Sequence, residues 1–172
     1  SLLASATEMV CALGLEDQLV ARSHECDWPP SIRHLPQAST PGFAVTGSSR
    51  AIDRAVKERV AMALSIYDVD AELLRRLKPD IILTQTQCEV CAVTPDDVAR
   101  ALCQLTGLPP RIVSLEPNRL GDVWDDIRRV AAACGVPPRG ERVIERLRRR
   151  VLAIGMKAGP IEPKPTVATI EW

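Results

Sequence analysis

Four side chains in two short segments of this sequence are of the types that bind transition metals. His24 and Cys26 lie two residues apart, and Cys88 and Cys91 form a Cys-x-x-Cys pair. One imidazole and three thiolates complete the tetrahedral shell that Zn²⁺ takes in proteins, and a Cys-x-x-Cys turn is a usual half of such a site. Each pair follows a predicted strand, so we expect the two segments to meet at one sheet edge. The pattern predicts a site for zinc or another transition metal.

The same cysteines permit other interpretations. A disulfide that joins Cys88 to Cys91 or involves Cys26 is one alternative, and a set of unconnected thiols is another. An enzyme with Cys88 or Cys91 as nucleophile and His24 as base is a third class of protein. Neither an oxyanion-hole signature nor a glycine-rich phosphate loop accompanies these residues. No catalytic residue is therefore assigned.

The Cys88–Cys91 pair follows the strand around which the rest of the chain is organised. Pro79 disfavours helix at the residue before it, so a helix is predicted to end at Leu77 or Lys78. Ile81–Leu83 is a continuous apolar run, which is typical of a parallel strand covered by helices on both faces. The polar residues after it are expected at the carboxyl edge of the sheet, where open α/β folds bind ligands.

Strands and helices alternate along the remaining sequence. Further strands are predicted at Ser1–Leu3, Leu19–Ala21 and Arg111–Leu115, and a long surface loop is predicted from His34 to Gly47. Helices are predicted after Ser5 or Thr7, from Ser49 with a packed stripe of Ile52, Val56, Val60 and Leu64, after Asp70, after Thr94, and around Trp124. This order predicts an α/β fold, a single Rossmann-like lobe with a parallel sheet and right-handed crossovers.

A long helix is predicted from about Gly140 to Lys157. Its apolar stripe consists of Ile144, Leu147, Val151 and Ile154, and arginines fill the positions between them: Arg142, Arg146, Arg148, Arg149 and Arg150. An anion-binding face is one interpretation of these arginines. We favour a solvated helix face, because cations also suit the C-terminal half of a helix.

The composition excludes several kinds of partner. The 22 basic and 22 acidic residues cancel, so no global field attracts nucleic acid. No apolar run approaches the roughly 20 residues of a membrane span. Six cysteines in 172 residues are too few for a disulfide framework. Ser1 is predicted to lie within a strand, so the sequence is expected to lack its upstream part and to say nothing about an export leader.

The ordered set of these segments resembles a known family. The Ser-Ala-Thr-Glu helix, Asp27–Pro30, the Lys-Pro-Asp strand and the long final helix are similar to the N-terminal lobe and interlobe helix of class III solute-binding proteins. These proteins serve ABC importers for cobalamin, haem and ferric siderophores. The segments Ser23–Asp27 and Gln87–Val93 resemble the branch known as cobalamin-binding proteins.

The resemblance implies a division of the chain into three parts. Residues 1–136 correspond to an N-terminal ligand-binding lobe and residues 137–159 to the interlobe helix. Residues 160–172 correspond to a linker and the first strand of a C-terminal lobe, most of which would lie beyond this sequence. A lobe alone is expected to bind ligand weakly, because two-lobed binders distribute their contacts over both lobes.

The resemblance also implies which residues contact the ligand and the permease. Ligand contacts are expected at Ser5, Thr7, Trp28, Gln85, Gln87 and Glu116, which follow predicted strands, and permease docking is expected at Glu72. Trp28 offers a flat apolar face to a corrin or porphyrin, although it could equally pack its own loop against Pro29 and Pro30. No cofactor is required, and the ligand is expected to be a corrinoid or a related metal chelate.

Two non-catalytic functions therefore compete. The first is the solute-binding component of an ABC importer, at the membrane surface or in the periplasm. The second is an intracellular metal- or corrinoid-binding protein that uses the His24 and cysteine site in the cytoplasm. The resemblance favours the first.

Overall fold

The computed structural model describes residues 1–62, 65–86, 93–102, 109–159, 163 and 166–169. Its helices are α1 (Ala4–Ala12), α2 (Ser49–Ala61), α3 (Ala71–Leu77), α4 (Pro95–Leu102), α5 (Leu120–Ala133) and α6 (Pro137–Ala158). The strands are β1 (Arg22–Ser23), β2 (Gln37–Pro41), β3 (Tyr67–Val69), β4 (Ile81–Gln85) and β5 (Arg111–Leu115). Short 3₁₀ turns cover Glu16–Gln18 and Pro30–His34. The predicted α/β class is confirmed.

Strand β4 belongs to a two-stranded sheet with β5, and the other three strands form a second sheet. It pairs in parallel with β5 along its whole length. On its other side the Leu2 amide donates to the Leu83 carbonyl (2.9 Å), and the Ser1 nitrogen donates to the Ala21 carbonyl (3.0 Å). These bonds join β4 and β5 to the group β1–β2–β3, in which β1 and β2 are parallel and β3 is an antiparallel edge strand.

Helices cover both faces of the sheet. Leu83 packs in a cluster with residues of α1, α5 and α6, whereas its neighbour Ile82 packs in a second cluster with residues of α2, α3 and α4. Both side chains are buried. Full burial of a Leu or Ile side chain stabilises the fold by about 1.5–3 kcal/mol. Because successive side chains of a strand point to opposite faces, a strand with helices on both faces needs apolar residues at consecutive positions.

Three helices begin at capping residues, of which the sequence indicates Asp70 and Thr94. The Ser48 hydroxyl accepts from the Ala51 amide (3.3 Å), and the Asp70 carboxylate accepts from the Leu73 amide (2.8 Å). The Thr94 hydroxyl accepts from the Asp97 amide (3.2 Å), while the Asp97 carboxylate accepts from the Thr94 amide (2.9 Å). Each bond satisfies an amide that the first helical turn leaves without an intrahelical partner.

One loop prediction, at His34–Gly47, and two strand predictions, at Ser1–Leu3 and Leu19–Ala21, are wrong, and Ser1–Leu3 precedes α1 without forming a strand. The segment His34–Gly47 is not a continuous loop, because it contains β2, which pairs with β1 and β3 and buries Ala38 and Ser39. Its composition is typical of loops. Pairing with β1 and β3 nevertheless satisfies its backbone hydrogen bonds and overrides the weak local preference for a strand. The strand predicted at Leu19–Ala21 is displaced, because a 3₁₀ turn occupies Glu16–Gln18 and β1 begins only at Arg22, directly after the predicted segment.

The packed stripes of two helices are shorter than predicted. In α2 Val56 is buried but Val60 is 52% exposed, and Leu64 lies outside the described residues. Helix α6 is continuous through Arg148, as predicted, and begins before Gly140 at Pro137. Ile144 is buried and Leu147 packs beside it, whereas Val151 and Ile154 are 48% and 66% exposed. Helix α6 therefore packs on the lobe through its first half.

None of the helices in the described part of the chain combines the length and the apolar content that a transmembrane span needs.

Candidate ligand-binding groove

A groove of about 550 Å³ lies between α1, α5, α6 and the loop that follows β1. Its apolar lining includes Met9, Ile127, Val143 and Leu147, and its polar lining includes Ser5, Glu8, Arg146 and Arg150. Trp28 and Pro29 line it as well. Because Ser5 lies in the first turn of α1 and Trp28 follows β1, this part of the groove lies at the carboxyl edge of the sheet.

The loop that carries Trp28 is fixed by hydrogen bonds to its main chain. The Arg22 guanidinium donates to the Cys26 carbonyl (3.2 Å), and the Arg33 guanidinium donates to the Asp27 carbonyl (2.8 Å). The Cys26 amide donates to the Ser23 carbonyl (3.2 Å). Trp28 nevertheless remains 59% exposed. An exposed indole on a fixed loop presents an apolar face with little entropy left to lose on binding.

The structure brings Ser5 and Trp28 of the predicted ligand residues together at the groove and places Thr7, Gln85 and Glu116 elsewhere. Thr7 is fully buried, and its hydroxyl donates to the Leu3 carbonyl (3.2 Å) and lies 3.1 Å from the Cys26 sulfur. Gln85 is buried at the end of β4. Glu116 is exposed after β5 and accepts from the Thr86 hydroxyl (3.2 Å). Gln87 lies outside the described residues.

Arg146 and Arg150 are groove residues that the sequence analysis named among the arginines of the long helix but did not place in the ligand site. They lie four positions apart on α6 and therefore share one helix face, next to Leu147. Both arginines are exposed, as the prediction of a solvated helix face requires. Their position beside the apolar stripe was the available signal, but only the packing of α6 against α1 shows that a groove lies there.

His24 and Cys26 occupy different environments. The Cys26 sulfur is buried, 3.1 Å from the Thr7 hydroxyl and 3.4 Å from the Ser23 hydroxyl. His24 is half-buried, with Nδ1 3.4 Å from the Ser39 hydroxyl and Nε2 4.0 Å from the Glu25 carboxylate. Among the described residues no three His, Cys, Asp or Glu side chains are grouped to hold a metal ion, but Cys88 and Cys91 lie outside that part of the chain.

Tyr67 packs beside His24, with ring centroids 5.4 Å apart. Burial and, to a smaller extent, the nearby Glu25 carboxylate raise the pKa of the Tyr67 phenol to about 12. Tyr67 is therefore a neutral phenol near pH 7. This cluster presents a neutral ring and an imidazole at the carboxyl edge, close to where β2 meets β3.

The metal site predicted from the sequence is tested by metal content. Protein purified without chelator is expected to carry zinc or another transition metal, and the double variant Cys88→Ser/Cys91→Ser is expected to lose most of it. Affinity should fall as the pH drops toward about 5, because thiolate ligands must be deprotonated. Cys134→Ser, which changes a half-buried thiol on α5's C-terminal end, is the control. Equal metal content in the wild type and the double variant would exclude the site.

Glu72 lies exposed in the first turn of α3 and pairs with Arg75. A carboxylate at this position is favoured by the helix dipole, and the ion pair is a surface pair of small energetic value. The side chain is therefore accessible for docking.

Comparisons with known proteins agree with this architecture. The sequence model of the periplasmic binding protein family matches residues 1–172. The vitamin B12-binding protein of Photorhabdus laumondii subsp. laumondii is 25% identical over 165 residues, which cover 96% of this chain and 48% of that protein.

Two solved structures share the fold. The apo form of the periplasmic heme-binding protein RhuT from Roseiflexus sp. RS-1 has a TM-score of 0.62 and 24% identity, and the match covers 94% of this chain and 50% of that one. The periplasmic vitamin B12 binding protein BtuF of Vibrio cholerae has a TM-score of 0.62 and 22% identity over 94% of this chain and 51% of that one.

The chain thus spans about half the length of the curated relative that it matches. The structural likenesses show the shared fold, and the family match extends over every residue of the sequence. The resemblance to class III solute-binding proteins is confirmed, and the chain belongs to the periplasmic binding protein family.

Proposed function

We propose that this chain is part of the solute-binding component of an ABC-type importer and binds cobalamin or a related metal-chelate ligand without catalysing a reaction. The observation that carries this proposal is the exposed Trp28 indole, which lines the groove together with Ser5 at the carboxyl edge of the sheet. Ligand crevices of open α/β folds lie at this edge.

The groove has the mixed lining that a metal chelate with a large organic ring needs. Its apolar floor and the Trp28 face suit the flat surface of a corrin or porphyrin, and its charged rim suits the polar side chains of such a ring. A ligand of that size rests against the groove rather than entering it. The groove is therefore one contact surface for the ligand.

Membership in the family supports a periplasmic or membrane-surface location and an ABC permease as partner. Glu72 is the residue that we propose for permease docking, because it is exposed on α3. The relatives that bind vitamin B12 or heme are about twice as long as this chain, so the importer role of the whole protein forms part of the proposal.

Calorimetric titration of the chain with cyanocobalamin, hemin and a ferric siderophore tests the proposal. Because the groove is open and Trp28 is 59% exposed, we expect weak binding of at least one of these ligands. Sites that bind small ligands tightly bury most of the ligand surface, so the expected Kd is about 10 µM to 1 mM. Absence of heat and of Trp fluorescence change for all of them up to about 1 mM would reject the proposal.

A further inference from the structure

We propose that the groove selects a ligand whose polar side chains both donate and accept hydrogen bonds, such as the primary amides of a corrinoid, over a dicarboxylate porphyrin. The residues responsible are Arg146 and Arg150 on one wall and Glu8 on the other. This inference rests on the function proposed above and narrows its ligand class.

The cationic wall belongs to α6. Arg146 and Arg150 make no hydrogen bond or ion pair with another residue in the described part of the chain. Neighbouring arginines on α6 do have partners: the Arg149 guanidinium pairs with Glu145, and the Arg148 guanidinium lies 5.9 Å from the Trp124 ring centroid. Two arginines with free donors therefore line the groove at its border with the outer face of α6.

The anionic wall belongs to α1 and the turn after it. Glu8 and Glu16 line the same groove, and neither lies within 4.0 Å of a described Lys, Arg or His side chain. Their field acts inside the groove: burial raises the pKa of the Cys11 thiol, and the carboxylates of Glu16 and Glu8 raise it further. The opposite charges thus line one groove from different elements, and no ion pair joins them in the described part of the chain.

Opposed walls of this kind favour amides for a simple reason. A primary amide accepts a hydrogen bond from a guanidinium through its oxygen and donates one to a carboxylate through its NH₂ group. A carboxylate arm satisfies the arginines but repels Glu8, because like charges placed side by side at an interface destabilise the complex. Selectivity follows from the penalty against the wrong ligand as much as from contacts to the right one.

The experiment measures the Kd of cyanocobalamin and of hemin for the full chain and for charge-neutral variants. The wild type is expected to bind cyanocobalamin at least about tenfold more tightly than hemin, because one carboxylate of hemin is repelled by Glu8. Arg146→Gln/Arg150→Gln should weaken cyanocobalamin binding about tenfold. Glu8→Gln should strengthen hemin binding about threefold or more, because it removes the repulsion. Arg142→Gln is the matched control, since Arg142 lies on the same helix but does not line this groove.

Failure of the inference and failure of the proposed function give different results. Equal or tighter binding of hemin, or a Glu8→Gln variant that changes neither Kd, overturns the selectivity while leaving a binding protein. Absence of binding for both ligands overturns the proposed function and the selectivity together. Thermal unfolding of each variant verifies the fold, because all four substituted side chains are exposed.

Discussion

Replacing Gly140 by alanine is expected to lower the free energy of unfolding by about 1–3 kcal/mol, as overpacked cores do. Gly140 is buried where α6 crosses α5. A Cβ added there would lie 2.8 Å from the Ala131 Cβ and 3.6 Å from the Ile127 carbonyl oxygen. Neither atom belongs to a flexible side chain, so one helix must move. Alanine improves helix propensity by about 1 kcal/mol relative to glycine, and the expected loss is what remains after that gain.

Gly155 provides the matched control in the same helix. A Cβ at Gly155 meets no atom within 4 Å, so Gly155→Ala is expected to leave stability unchanged or raise it by up to about 1 kcal/mol. The double variant Gly140→Ala/Ala131→Gly should recover part of the loss, because it removes the contact partner. Urea unfolding followed by circular dichroism measures all of these changes. A stabilising Gly140→Ala would show that the helices are not in close contact.

The crossing of α5 and α6 sets the position of the groove wall that α6 forms. Arg146, Leu147 and Arg150 line it from α6, and Ile127 lines it from α5. A shift of α6 at Gly140 would therefore move one wall relative to Trp28. Gly140→Ala is expected to weaken ligand binding in addition to lowering stability, and Gly155→Ala is expected to affect neither wall.

Elements with strong local signals were predictable from the sequence. Strand β5 covers Arg111–Leu115, the same residues as predicted, and α3 ends at Leu77 before Pro79. Burial on both faces demands a continuous apolar run, and proline and capping residues set helix ends through their own hydrogen bonds. These features depend on neighbouring residues and are therefore visible in a short window of sequence.

Elements that depend on distant partners were not predictable. Strand β2 has a loop-like composition and exists because β1 and β3 pair with it, and β3 is only three residues long. The groove likewise needs α1 and α6, which lie more than a hundred residues apart in the sequence. Position after a predicted strand made Ser5 and Trp28 candidate ligand residues, and both line the groove, but it did not distinguish them from Thr7, whose hydroxyl faces the protein interior.

Replacing Trp28 by alanine is expected to weaken binding of cyanocobalamin by about 10- to 100-fold. The indole is the large apolar surface of the groove that remains accessible, and burying such a ring against a ligand contributes about 1.5–3 kcal/mol. Stability should change by no more than about 0.5 kcal/mol, since Trp28 is 59% exposed and its loop is fixed by main-chain hydrogen bonds.

Two variants separate this role from a structural one. Trp28→Phe keeps an aromatic face and should retain most of the affinity. Trp124→Phe alters a buried indole on α5 and should lower stability by about 1 kcal/mol or more without a comparable loss of affinity. Calorimetric titration and thermal unfolding of the same samples provide both measurements. If Trp28→Ala loses stability but binds cyanocobalamin as the wild type does, Trp28 only packs its loop against Pro29, and the groove is not the place where the ring of the ligand rests.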